Sequence, residues 1–76
     1  MPEYKYVQVA DTVRSRIRDG TYPPGEYLPP RSQLRAEFQV SDIVINDAMR
    51  ILRGQGLVAT KVGRGTYVVD EAPAAG

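Results

Sequence analysis

The chain of 76 residues contains no cysteine and no histidine. Without thiols there is no disulfide framework and no thiolate metal site. Without imidazole the commonest general base and the commonest metal ligand are both missing. Carboxylates, lysine and hydroxyls remain, and they fall into no nucleophile–base pair or metal-ligand cluster, so neither an enzyme nor a cofactor is expected. Long apolar runs are missing too: none approaches the roughly 18 residues of a membrane span. The opening Met1-Pro2-Glu3-Tyr4-Lys5 lacks the apolar stretch of a signal peptide. The chain therefore reads as cytoplasmic, with no membrane partner, and cysteine-free composition is compatible with that setting. At this length a single core is expected.

Charge of one sign is also scarce, since ten basic residues face nine acidic ones. Asp70 and Glu71, however, belong to a tail ending Ala72-Pro73-Ala74-Ala75-Gly76 that is not expected to pack. Without those two acids the body, residues 1–69, carries +3. So small an excess fits an ordinary solvated surface as well as a nucleic-acid partner. Residues 70–76 are read as a disordered tail or linker.

What is present is periodic. Tyr6, Val9, Ala10, Val13 and Ile17 recur three or four apart and predict a first helix from Tyr6 to Asp19, stopped by Gly20. The next ten residues hold four prolines, Pro23, Pro24, Pro29 and Pro30, with Gly25 among them, and predict an ordered turn or a short extended segment. Tyr22, Tyr27 and Leu28 in that stretch are expected to pack on the core. A second, two-turn helix from Pro30 to Phe38 places Leu34 and Phe38 on one face. Ser41 is a good N-cap for a third helix, Asp42 to about Gln55, with Gly56 as its stop. Ile45, Ala48, Met49 and Leu52 form the inward stripe of this helix. Asp42, Asn46, Arg50 and Arg53 fall outward, with Ile43 toward the same side. Two short strands, Leu57–Val62 and Thr66–Val69, are joined through Gly63-Arg64-Gly65 as a hairpin with an arginine at its tip.

Two helices separated only by Gln39 and Val40 make a helix-turn-helix whose second helix can enter a major groove, and the hairpin that follows supplies a wing. The fold class expected is thus mainly α with a small β-hairpin. The helix amino terminus offers free amides and a positive dipole end to phosphates. The Gly-Arg-Gly tip lets the backbone approach a minor groove that Arg64 enters.

A family resemblance rests on residues spread over nearly the whole chain. Tyr6-x-Gln8-Val9-Ala10 comes first, followed by Ile17-x-x-Gly20-x-Tyr22-x-Pro24-Gly25-x-x-Leu28-Pro29. Leu34, Phe38, Val40-Ser41, Ala48, Leu52, Gly56-Leu57-Val58 and Gly63-Arg64-Gly65-Thr66-Tyr67-Val68 complete the set. In this order they resemble the DNA-binding domain of the GntR family of bacterial regulators. The resemblance implies a winged helix-turn-helix that binds short inverted-repeat operators in double-stranded DNA as a dimer. In the family it is usually fused to a carboxy-terminal domain that senses an effector and dimerises. No such domain, and no small-molecule site, is expected within these 76 residues, so a homodimer is expected only on DNA.

The departures are as informative. Family members commonly carry operator-contacting arginines where this chain has Ser32, Asp42 and Asn46. Arg31 and Arg35 lie near the first of these and can take over phosphate contact, although Arg35 stands where the family usually has a small residue. Among the outward residues, Asn46 matches an adenine edge, Ile43 a thymine methyl and Asp42 a cytosine amino group. Asp42 also suits the positive end of its helix without any base contact. The predicted DNA-contact set is Arg31, Arg35, Ser41, Asp42, Ile43, Asn46, Arg50, Arg64, Gly65 and Thr66. Arg53 lies on the same outward face as Arg50 and is a candidate for phosphate contact, Lys61 has a weaker claim, and surface charges of this kind are usually only solvated. The five tyrosines are scattered over four elements and read as structural, not as a stacking platform for single strands. The expected function is a sequence-specific transcription regulator, most simply a repressor that occupies an operator. The competing reading is a winged-helix protein-interaction module in which Ile43 and Val44 serve a protein groove.

Overall fold

The computed structural model describes residues 4–69; the expected tail, 70–76, lies outside the described residues. Helix α1 spans Lys5–Arg18, α2 Arg31–Phe38 and α3 Asp42–Gly54, followed by strands β1, Val58–Lys61, and β2, Gly65–Val68. Each predicted element is present, with boundaries displaced by at most one residue. The start of α2 shows why: Pro30 keeps an extended ψ of 150° and is the cap, while its carbonyl accepts from Gln33 and Leu34. Proline thus stands just before the helix, not in its first turn.

The inward stripe of α3 is buried as its spacing requires. Ile45, Ala48, Met49 and Leu52 join Val9, Ala10 and Val13 of α1, Leu28, Leu34, Val58 and Val68 in one core. Each large apolar side chain so buried contributes about 1.5–3 kcal/mol relative to exposure. Helix α1 packs chiefly on α3, and α2 also packs on α3. The end of α3 is a Schellman turn, in which Leu57 donates its amide to Leu52 and Gly56 to Arg53. Gly56 has φ 75° there, which is why glycine ends this helix.

The connection from α2 to α3 is tighter than composition indicates. Gln39 adopts φ 56° and ψ 51°, the left-handed region, at a cost of about 1–2 kcal/mol for a residue with a Cβ. The amides of Gln39 and Val40 both donate to the Arg35 carbonyl, so the turn is closed by backbone bonds. A second constraint fixes the angle of α2 on α1. The Arg16 guanidinium donates to Glu37 and, at 2.7 Å, to the Tyr22 hydroxyl, and it lies over the rings of Phe38 and Tyr22. The bond to Glu37 and then that to Tyr22 raise the pKa of Arg16 further above its ordinary value. In return the Glu37 carboxyl is held below the ordinary carboxylate range.

The strands pair antiparallel from Val58↔Val68 to Lys61↔Gly65. The proline-rich segment adds a third line of backbone. Tyr27 bridges Tyr67, Leu28 donates to Thr66, and Val68 donates to Glu26. Leu28 is buried and Tyr22 half-buried, in keeping with the sequence. Tyr27 is a correction: it is 47% exposed and lies edge-on to Tyr67, with ring centroids 5.8 Å apart, because bridging β2 turns its side chain out of the core.

Candidate nucleic-acid interface

Helix α2 meets the amino end of α3, and the wing shares a cleft with α2 and the side of α3. Ser41 caps that helix by accepting from the Val44 amide, although the 3.4 Å separation makes this a weak bond. Ile43 in the following turn is 70% exposed, so an isoleucine projects outward from a helix whose other face is fully buried. Asn46 is half-buried one turn further on.

Arg31 and Arg35 lie one turn apart on α2 and therefore share a face. That face meets the start of α3. Asp42 Oδ1 lies 3.5 Å from Arg31 Nε and 3.8 Å from Arg35 Nε. Asp42 sits in the first turn of α3, where the helix dipole favours a carboxylate. Arg50 is likewise engaged: its Nη2 lies 3.0 Å from Asp47 Oδ1, one turn earlier on α3. All these groups are substantially exposed, and pairs of that kind are held by about 1 kcal/mol or less.

The wing is a turn at 62–64, closed by the Arg64 amide donating to the Lys61 carbonyl at 2.9 Å. Gly65, the first residue of β2, has φ 120°, a conformation other residues rarely adopt; its Cα faces Tyr27, with space enough for a Cβ. The constraint on Gly65 is therefore backbone conformation. Arg64 is exposed and makes no ion pair among the described residues. Val62 beside it is 96% exposed. Arg31, Arg64, Gly65 and Thr66 line one open cleft of about 480 Å³, with Ile45 and Met49 among its apolar walls.

The predicted contact residues thus divide into neighbourhoods. Arg31 joins two of them, the cleft with the wing and the ion cluster with Arg35 and Asp42. Ser41, Ile43 and Asn46 occupy the first turns of α3, and Arg50 stands apart with Asp47. Arg53 is better described as a support for the wing: its guanidinium donates to the Thr60 hydroxyl at 3.2 Å, and Thr60 lies 3.4 Å from the hydroxyl of Thr66. Sequence spacing did not reveal the carboxylate attached to each arginine cluster. Asp42 and its arginines sit on different helices, so no periodicity signals the pairing. The i, i+3 spacing of Asp47 and Arg50 was a readable signal.

Comparison with known proteins fits this geometry. Residues 5–68 match the family described as bacterial regulatory proteins, gntR family. Among curated relatives, the mannosyl-D-glycerate transport/metabolism system repressor MngR of Escherichia coli (strain K12) is 41% identical over 87% of this chain and 28% of its own length. The histidine utilization repressor of Pseudomonas aeruginosa is 33% identical over 92% of this chain and likewise 28% of its own. The chain therefore spans under a third of either protein. Among solved structures, the AraR DNA-binding domain in complex with operator ORR3 superposes with a TM-score of 0.87 at 33% identity, covering 91% of this chain and 83% of that one. Three helices with a two-stranded wing, in this order and with these residues, place the chain in the gntR family of bacterial regulatory proteins.

Proposed function

We propose that this chain binds double-stranded DNA at an inverted-repeat operator, with α3 in the major groove and the wing in the adjacent minor groove, and that it represses transcription by occupancy. The observation that carries this reading is that Arg31 and Arg35 meet Asp42 in the first turn of α3 while Arg31 also lines, with Arg64 of the wing, the cleft walled by Ile45 and Met49. Exposed guanidinium groups around a helix amino terminus are the arrangement that phosphates require. Residues 1–69 act as the binding unit, in the cytoplasm, and residues 70–76 serve as tail or linker. Two copies assemble on DNA because each reads one half-site. Neither a cofactor nor a small-molecule ligand takes part in DNA contact. The repressors MngR and the histidine utilization repressor support the sign of regulation, and the AraR domain on its operator supports the partner.

Within this reading Arg31, Arg35, Arg50 and Thr66 contact phosphates, Arg64 contacts the minor groove and a phosphate beside it, Ser41 and Gly65 contact phosphates through backbone or hydroxyl groups, and Asn46 and Ile43 face base edges. The test is affinity for duplex DNA across a salt series. Four arginine–phosphate contacts per half-site make log K fall with log salt at a slope of about −3.6. Affinity that ignores salt, or no duplex binding at low salt, overturns the proposal and favours a protein partner.

A further inference from the structure

We infer that Asp42 is a specificity-determining residue, a carboxylate that neutralises the arginines of the recognition face until a correct site displaces them. The inference rests on the DNA-binding reading and adds to it the way non-specific binding is suppressed. Three of the arginines assigned to DNA contact are already paired with acids of α3: Arg31 and Arg35 with Asp42, and Arg50 with Asp47. Only Arg64, on the wing, has no such partner among the described residues. The face is therefore rich in guanidinium groups and poor in net charge.

That combination has a definite consequence for DNA of arbitrary sequence. Non-specific affinity comes almost wholly from phosphate neutralisation. A phosphate approaching Arg31 or Arg35 must displace the Asp42 carboxylate and then lie close to it. Unit charges about 4 Å apart in water interact by about 1 kcal/mol, a factor of about five in affinity for each such contact. At a correct site the carboxylate has an alternative: it accepts a hydrogen bond from an exposed amino group of a base, such as that of cytosine, and the arginines turn to phosphate. Asp42 then subtracts affinity everywhere except where a donor meets it. The pairs are exposed and weak enough to exchange on encounter.

The experiment compares the wild-type chain with D42N, D42E, the double variant R31A/R35A and the triple variant R31A/R35A/D42N, using a short duplex of mixed random sequence and a duplex selected by the wild type from a random pool. Expected are a roughly five- to tenfold gain of D42N on random duplex at low salt and a slope steeper by about 1 to 2, one unit for each arginine released. The ratio of selected to random affinity falls, and D42E, which keeps the charge, behaves like wild type. Without the two arginines, D42N gains much less relative to R31A/R35A, which separates neutralisation from direct repulsion of phosphate. Thermal melts of each variant exclude unfolding as the cause. If the wild type binds duplex with the expected salt dependence but D42N leaves random affinity and slope unchanged, the inference is overturned and the DNA-binding reading stands. If the wild type binds no duplex, both are overturned.

Discussion

Replacement of Arg64 by alanine tests the wing with little risk to the fold. The turn that presents Arg64 is held by its own backbone amide on the Lys61 carbonyl and by glycines at φ 77° and 120°, none of which the substitution touches. An exposed side chain without an ion pair contributes within about 0.5 kcal/mol of nothing to stability, so the melting temperature should hardly move. Binding is different. A guanidinium about 4 Å from a phosphate in water is worth about 1 kcal/mol, so affinity for any duplex should fall about fivefold at low salt. One phosphate contact fewer also makes the salt slope shallower by about 0.9. Across a fourfold rise in salt the wild type therefore loses about threefold more affinity than the variant. Fluorescence anisotropy with a labelled duplex at four or more salt concentrations separates the two effects. Unchanged affinity together with an unchanged slope removes the wing from the interface, whatever the melt shows.

Other consequences follow from neighbouring features. Asn46→Arg should shift the base preferred at one position of the half-site from adenine toward guanine, by about 1–3 kcal/mol of discrimination; selection from a random pool that returns the same bases shows that position 46 does not face them. Free chains of 76 residues should sediment as monomers at micromolar concentration, because the exposed large apolar residues among the described ones, Tyr4, Tyr27, Ile43 and Val62, come from separate segments of the chain; a dimer without DNA overturns this. The folded-state pKa of Glu37 lies below its ordinary 4.5, so its bond to Arg16 stabilises the fold fully above that pH and is lost as pH falls through the lowered value. Glu37→Gln should therefore melt below the wild type at pH 7, and the two should converge in acid. A gap that persists at low pH assigns the role of Glu37 to packing.

The three helices and the hairpin were legible because their signals are local. The stripe Ile45, Ala48, Met49 and Leu52 spells its own buried face, Ser41 and Gly56 mark the ends of α3, and Gly63-Arg64-Gly65 marks the turn. What the sequence concealed is held by contacts between distant segments. Tyr27 bridges a strand residue forty positions away, and the prolines around it point to a turn, not to strand pairing. Arg16 finds Glu37 across a gap that includes the whole proline segment. Gln39 in the left-handed region is silent because nothing in a glutamine announces it. For the interface, the outward residues of α3 could be named, yet the charges of Arg31 and Arg35 could not be weighed without seeing Asp42 between them.

The backbone line at 25–28 has a further bearing, on solubility. A two-stranded sheet has two open edges, and an unpaired edge is a template on which another chain can add a strand. Here one side of β2 is occupied by residues whose flanks are prolines, at 23, 24, 29 and 30. A strand arriving from another molecule would find no amide donor at any of these four positions. The opposite edge, β1, is only four residues long and ends in Lys61, and short, lysine-bearing edges also resist addition. The segment that completes the wing thus ends the sheet chemically as well as geometrically. The same prolines that disguise this segment as a mere turn thus also close that edge of the sheet to a further strand.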